Sequence, residues 1–386
     1  MGRGSRTAAV GLLGIVLAGV PTVSGALVQR GSSGGPASIL QRALGLPGRA
    51  LDAVVGLLDA FVQFLDAAGL LGPLYQAFNL ALQFLNDFAF IVLAAVGLAV
   101  IFGIMGVINL AHGEFIMVGA YGTTLTANAG APLPVAMIAG VLAAAGIGFV
   151  VERVIVSGAV PNWIAQKTIG RPVIEPLYDR LFDSMVATWG VSLVMIEGGR
   201  IVFGDSLPSI GTPLGSIHYG AFSTSMYGVV LAGASVAVVA GMYVLFTRTA
   251  WGRRARATIQ DEPMARSLGV DTDRTYMTTF AVGSGLAGLT GALYAPTLSI
   301  GPGLGSQFLV EAFVAVVVGG TSVILGTLLG GGVLAAISAT VDNLTGNSFF
   351  GRIALLVVAI LVLRFLPTGV SGLVESVRER RGVNES

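Results

Sequence analysis

Apolar runs of about 20 residues recur along this chain, and each is long enough to cross about 30 Å of hydrocarbon as a helix. They lie at Phe78–Ile104, Leu110–Thr126, Pro132–Val151, Ser184–Phe203, Tyr227–Phe246, Tyr276–Thr297, Ser322–Val341 and Ile353–Leu366. Inside a bilayer no water satisfies a free peptide group, so such runs fold as helices. The expected fold class is therefore all-α: a polytopic transmembrane helical bundle of about eight spans plus a broken or re-entrant segment. The broken piece is expected at Phe308–Gly320, where Glu311 and paired glycines interrupt an apolar stretch. Composition agrees, because only 11% of residues are charged and 54% are hydrophobic, against about 25% charged in soluble domains. The 56 glycines suit helices that approach closely where no hydrophobic force drives them together.

Several function classes drop out. A formal net charge of +1 offers no basic face for nucleic acid. The absence of cysteine removes disulfides, thiol catalysis and cysteine metal sites. The two histidines, His112 and His218, are too far apart in sequence to form a metal site unaided. No catalytic residues, metal or cofactor are expected.

Domain organisation follows from pattern and charge. Residues 1–26 read as a signal sequence or first span: Arg3 and Arg6 precede an apolar stretch and the small residues Val23–Ala26. Residues 27–76 read as an amphipathic outer extension, 77–367 as the membrane domain and 368–386 as a cytosolic tail. Arginine and lysine set the orientation. Glu152–Asp183, Thr247–Arg274 and the tail carry them, whereas Gly204–Met226, Leu298–Gln307 and Asp342–Ser348 carry none, so the former face the cytosol.

Three stretches stand out. In Gly106–Phe115, the residues Asn109, His112 and Glu114 are positioned to line a polar path, with Gly113 turning the backbone and Phe115 following. The alternative is a tight hydrogen-bonded corner that binds nothing. In the cytosolic loop, Asp261 suits a helix N-cap and Pro263 an early helical position. Met264, Ala265 and Leu268 then share one face of a short helix that Gly269 ends, next to Glu262. That helix would dock on a cytosolic partner; alternatively Arg253–Arg256 anchor the loop to anionic headgroups. In the third stretch, glycine-rich Ser299–Gln307 leads into Glu311, with Ser306 and Gln307 as hydrogen-bonding groups; close helix packing is the alternative for Gly326–Gly332. A faint echo relates Glu114–Gly119 to Glu311–Gly319, each a carboxylate ahead of an apolar, glycine-ended run. Glu197 and Arg200 pair at i, i+3.

A phosphate-cradling P-loop needs glycines ahead of its lysine, but the only lysine, Lys167, follows Gln166, with Pro161 where the first glycine belongs. Any ATP-driven step needs a partner.

The segments Gly106–Tyr121, Val186–Val194, Asp261–Val270 and Gly301–Gly332 together resemble the permeases of the branched-chain amino acid importer family, which includes urea-type and short-chain-amide-type systems. The resemblance covers about Phe78 to Pro367. It implies a permease subunit in the cytoplasmic (inner) membrane, working with two ATPase subunits, a second and different permease chain, and a periplasmic or extracellular solute-binding protein. The helix around Ala265–Gly269 looks like the element that docks on the ATPase. Gly301–Phe313 and the N-terminal extension look closer to the urea type, so urea is the expected solute, with branched-chain amino acid or short-chain amide as alternatives. The expected substrate-pathway residues are Asn109, His112, Gly113, Glu114, Phe115, Ser306, Gln307 and Glu311. The ATPase-coupling residues are Asp261, Glu262, Met264, Ala265, Leu268 and Gly269. Two readings from other classes remain. A passive urea channel leaves Asp261–Val270 without a task. An intramembrane enzyme would need His112 and Glu114 to cooperate, although a helix points them about 200° apart.

Overall fold

Helix α1, Leu71–Met105, runs for 35 residues without a proline beyond its first turn and ends where Gly106 takes a positive φ of 66°. The computed structural model describes residues 71–157, 177, 181–219, 222–320, 322–366 and 369–372. The expected signal sequence, most of the amphipathic extension, Lys167 and the arginines of the tail lie outside the described residues. Residues 71–76, assigned above to the extension, are the first turns of α1.

After α1 come α2 (His112–Asn128), α3 (Leu133–Val151) with a π-helical turn at Glu152–Val156, and α4 (Leu181–Phe203). A two-stranded antiparallel hairpin, β1 (Ser216–Tyr219) and β2 (Phe222–Ser225), pairs Ser216 with Ser225. Then follow α5 (Met226–Arg248), α6 (Ala250–Gln260), α7 (Glu262–Ser267), α8 (Thr272–Tyr294), α9 (Ser306–Gly319), α10 (Val323–Thr345) and α11 (Ser348–Phe365). Every expected span is a helix, and α9 is the short broken piece. By length and apolarity, six helices among the described residues suffice to cross a membrane: α1, α3 with its π-turn, α4, α5, α10 and α11. Of the described residues, 71–83 and 214–229 form one compact unit, in which Leu82 packs with Tyr75 and Phe222. The rest form a second unit, which holds everything considered below.

The chain beyond Met105 doubles back. His112, the first residue of α2, donates its Nε2–H to the carbonyl of Ala94 at 2.9 Å. Ala94 lies three turns, about 16 Å, before the end of α1. Residues 106–111 therefore climb beside the helix they have just left, and α2 starts at depth. Its 17 residues span about 25 Å, short of the roughly 30 Å of a full crossing.

The same construction occurs again in the opposite sense. Residues 295–305 leave α8 and return to α9, a helix of only 14 residues. The two short helices then meet at their N-termini: a β-carbon on Gly113 would overlap the Gly305 carbonyl, and one on Gly305 would overlap Gly113. Long helix, returning strand, short helix, long helix thus describes both α1–α2–α3 and α8–α9–α10. With α1 ending and α8 beginning on the arginine-rich side, the two copies run in opposite directions. The two carboxylates of the sequence echo do not occupy equivalent positions in this repeat. Glu114 is the third residue of α2 and Glu311 the sixth of α9.

Glycines also let α8 sit against its neighbours. Gly283 meets Gly97 of α1, Gly288 meets Gly119 of α2 and Ala144 of α3, and Gly291 meets the Ile116 carbonyl. Gly326 and Gly330 do the same for α10 against Gly319 of α9, which assigns Gly326–Gly332 to packing. Gly113→Val should cost about 1–3 kcal/mol through overpacking, read as a lower melting temperature and less monodisperse protein in detergent. Gly190→Val, which meets nothing within 4 Å, should leave both unchanged.

Candidate functional site

The expected pathway residues fall in three places. Asn109, His112, Gly113, Glu114 and Phe115 are all buried, His112 at 0% and Glu114 at 3% exposure, and among the described residues they line none of the cavities of about 300, 480, 530 and 550 Å³. They form a compact corner at the start of α2. Asn109 Oδ1 accepts from the Ala111 amide at 3.0 Å, and the Leu110 amide donates to Thr188 Oγ1 at 3.0 Å. Buried peptide groups in a returning strand need such partners. Glu114 bonds Ser192 of α4 while His112 faces Ala94 of α1, so the two do not form an acid–base pair. Gly113 does not turn the backbone, because it lies within α2; it admits Gly305, and Gly106 makes the turn. The corner also carries polar atoms without a protein partner: Asn109 Nδ2, His112 Nδ1 and Glu114 Oε2.

Ser306 and Gln307 are exposed at the start of α9, with Ser306 Oγ donating to the Gly303 carbonyl at 2.8 Å. Their side chains are exposed, although the backbone of Gly305, one residue earlier, abuts Gly113 of the corner.

Glu311 lies elsewhere, in a cavity of about 300 Å³ bounded by α1, α5, α8, α9, α10 and α11. Here the sequence reading missed most of the chemistry. Asp87, Asp342 and Arg352 line the same cavity. Arg352 Nε stands 3.9 Å from Glu311 Oε1, Asp87 accepts a hydrogen bond from Ser338, and Asp342 takes one from the Gly351 backbone. The apolar wall is aromatic: Phe90 stacks on Phe308 at 4.6 Å and meets Tyr294 edge-on at 5.5 Å. The lining thus combines three carboxylates and a guanidinium with aromatic rings. Such a site can hold a small molecule with charges of both signs and an apolar group. Its size lies at the lower bound for small-molecule pockets. Asp87 was findable, since a carboxylate in the middle of an apolar run faces a cavity or a partner. Asp342 and Arg352 sit at the ends of their runs, where charge needs no such explanation.

At the arginine-rich end, Asp261 caps α7 as expected, its Oδ1 accepting from the Met264 amide at 2.9 Å. Gly269 closes the turn at φ 86°, with the Val270 amide donating to the Ala265 carbonyl at 3.0 Å. Glu262 pairs with Arg266 at 2.9 Å and accepts from Tyr276 Oη at 2.9 Å, fixing α7 to α8. The expected shared face is divided. Met264 and Leu268 point outward, 56% and 77% exposed, whereas Ala265 is 3% exposed and packs inward. Spacing of i and i+4 keeps the first pair together, and one residue later the helix has turned about 100°.

With this geometry in view, the comparisons are specific. A family model described as the branched-chain amino acid transport system / permease component matches residues 80–366. The chain is 30% identical to the high-affinity branched-chain amino acid transport system permease protein LivH of Escherichia coli K12, over 72% of this chain and 90% of that one. It is 29% identical to the corresponding BraD of Pseudomonas aeruginosa, over 72% and 91%. A shorter likeness, 33% over 28% of each chain, relates it to the xylose transport system permease protein XylH of Escherichia coli K12. No solved structure gives a significant match. The matched residues begin near the unit that holds the buried corner and end at the last residue of α11's cap, so they span both copies of the broken-helix construction. On these grounds the chain, a multi-pass inner-membrane protein, belongs to the family of branched-chain amino acid transport system permeases.

Proposed function

We propose that this chain is one permease subunit of an ATP-binding-cassette importer, and that its cavity takes a zwitterionic amino acid with an apolar side chain. The carrying observation is the mixed-charge cavity with its aromatic wall. An α-ammonium would lie among Asp87, Glu311 and Asp342, an α-carboxylate against Arg352, and an aliphatic side chain against Phe90 and Tyr294. The names of the relatives support the same solute class. Urea, favoured by the likeness of Gly301–Phe313 to urea-type permeases, is the second reading. A neutral molecule of that size gives the aromatic wall and the net negative lining no task.

Transport would proceed by alternating access. ATP-driven closure of two partner ATPase subunits would press on Met264 and Leu268, and the rigid Glu262–Tyr276 link would pass the movement to α8. Because α8 packs through glycines on α1, α2 and α3, its displacement would reach both broken helices. A second permease chain would complete the pathway, with exposed Ser306 and Gln307 on the surface available to it, and an external binding protein would deliver the solute.

Two measurements follow, both in proteoliposomes holding this chain with its partner subunits. ATP-dependent leucine uptake should exceed urea uptake, and Arg352→Gln should raise the leucine KM at least tenfold, the loss of one charge-assisted bond. Urea uptake that ignores Arg352→Gln would return the solute to urea, and flux without ATP would make the protein a channel. Leu268→Asp should abolish solute-stimulated ATP hydrolysis while leaving leucine binding within about twofold, since an exposed substitution costs the fold little. Normal coupling in that variant would remove α7 from the ATPase contact.

A further inference from the structure

A second cavity, of about 550 Å³, lies at the arginine-rich corner where α5, α6 and the start of α10 meet, and it shares no lining residue with the mixed-charge cavity. Its walls are of two kinds. Phe246, Ile259, Val323 and Leu325 supply apolar surface, and Arg256 supplies the only charge among the lining residues, with Thr247, Gln260 and Ser322 as neutral polar neighbours. We infer that this corner is a binding site for one anionic phospholipid of the cytosolic leaflet.

Placement comes first. α5 is a membrane-spanning helix, and it ends at Arg248 on the arginine-rich side. Tyr243, Val244 and Leu325 are exposed at this level, so apolar side chains of the span stand open beside the cavity. Those surfaces suit acyl chains, and the polar residues follow them at headgroup height. Charge comes second. α6 carries Arg253, Arg254 and Arg256 within four residues of an 11-residue helix, and Arg248 precedes it. Among the described residues, Arg248, Arg253 and Arg254 form no ion pair. The neighbouring acids are engaged elsewhere: Asp261 caps α7, and Glu262 pairs with Arg266. The field that the described residues set up at the corner is therefore net positive, which favours an anion over a zwitterionic headgroup.

Geometry comes third. Arg256 is aimed rather than free to wander. Its Nη1 donates to the Phe246 carbonyl, and its guanidinium lies 5.6 Å from the Phe246 ring centroid. This leaves other guanidinium N–H groups for a phosphate, since the group has five. α6 is itself tied down: Gly252 abuts the Phe246 carbonyl, and Trp251 Nε1 donates to Thr278 Oγ1 at 3.1 Å. A lipid seated here would bridge α5, α6 and α10.

The test uses Trp251, which packs edge-on to Phe246 at 6.1 Å and so reports from the cavity wall. Trp163→Phe and Trp189→Phe leave it as the single tryptophan. The assembled transporter is reconstituted in phosphatidylcholine with increasing brominated phosphatidylglycerol or brominated phosphatidylcholine, and Trp251 quenching is followed. Brominated phosphatidylglycerol should quench at about fivefold lower mole fraction, the worth of one arginine at an anionic surface. Arg256→Gln should abolish the preference and Arg256→Lys should keep part of it. Equal quenching by the two lipids overturns the site, as does a preference unchanged in Arg256→Gln. No quenching by either lipid also overturns it, and assigns the corner to contact with a partner chain.

Discussion

Two helix N-termini that touch inside one protein set the terms for the rest of this structure. Each carries about half a positive charge from its unpaired amides, and the two should repel where α2 meets α9. Gly113 and Gly305 nevertheless bring the backbones together. What makes the contact tolerable is nearby: Glu114 places a buried carboxylate in the first turn of α2, and Asn109 and Thr188 bind the peptide groups that precede it. Once that junction exists, both short helices must start at depth. Both returning strands must then be folded beside α1 and α8, and the long helices must pack closely enough to enclose them. The glycines along α8 serve the last requirement.

The junction also separates tasks that the sequence ran together. Asn109, His112 and Glu114 look like pathway residues because polar groups at depth are expensive and so usually functional. Here part of that expense is met inside the corner, by the bonds to Ala94, Ser192 and the Ala111 amide. The proposed solute cavity is assembled apart from it by residues from six helices. A rigid, buried junction beside a polar cavity is a reasonable division of labour for a transporter. Chains that must rock as bodies need a fixed centre, and a solute site needs groups that can be uncovered.

How much of this was legible beforehand depends on how far apart the contributing residues lie. Spans were legible because apolar length is local, and all eight recurred as helices within a few residues. The N-cap of Asp261 and the turn at Gly269 were legible for the same reason. The inward face of Ala265 was not, because the three-residue pattern Met264, Ala265, Leu268 fits one face only if the partner's position is assumed. The cavity was least legible. Asp87, Glu311, Asp342 and Arg352 are spread over 266 positions, and only folding brings α1 beside α9, α10 and α11. Likewise Gly113 was read as a turn residue, since no sequence rule indicates that its neighbour is Gly305.

The central claim is that the solute is recognised in the mixed-charge cavity and the broken-helix junction is its scaffold. A structure of the assembled transporter with leucine trapped inside, at a resolution that shows side chains, tests this directly. The account predicts leucine's carboxylate within about 3 Å of the Arg352 guanidinium, its ammonium among Asp87, Glu311 and Asp342, and its side chain on Phe90. Leucine found instead against Asn109 and His112, with Gly113 and Gly305 drawn apart, would contradict it and make the junction the pathway.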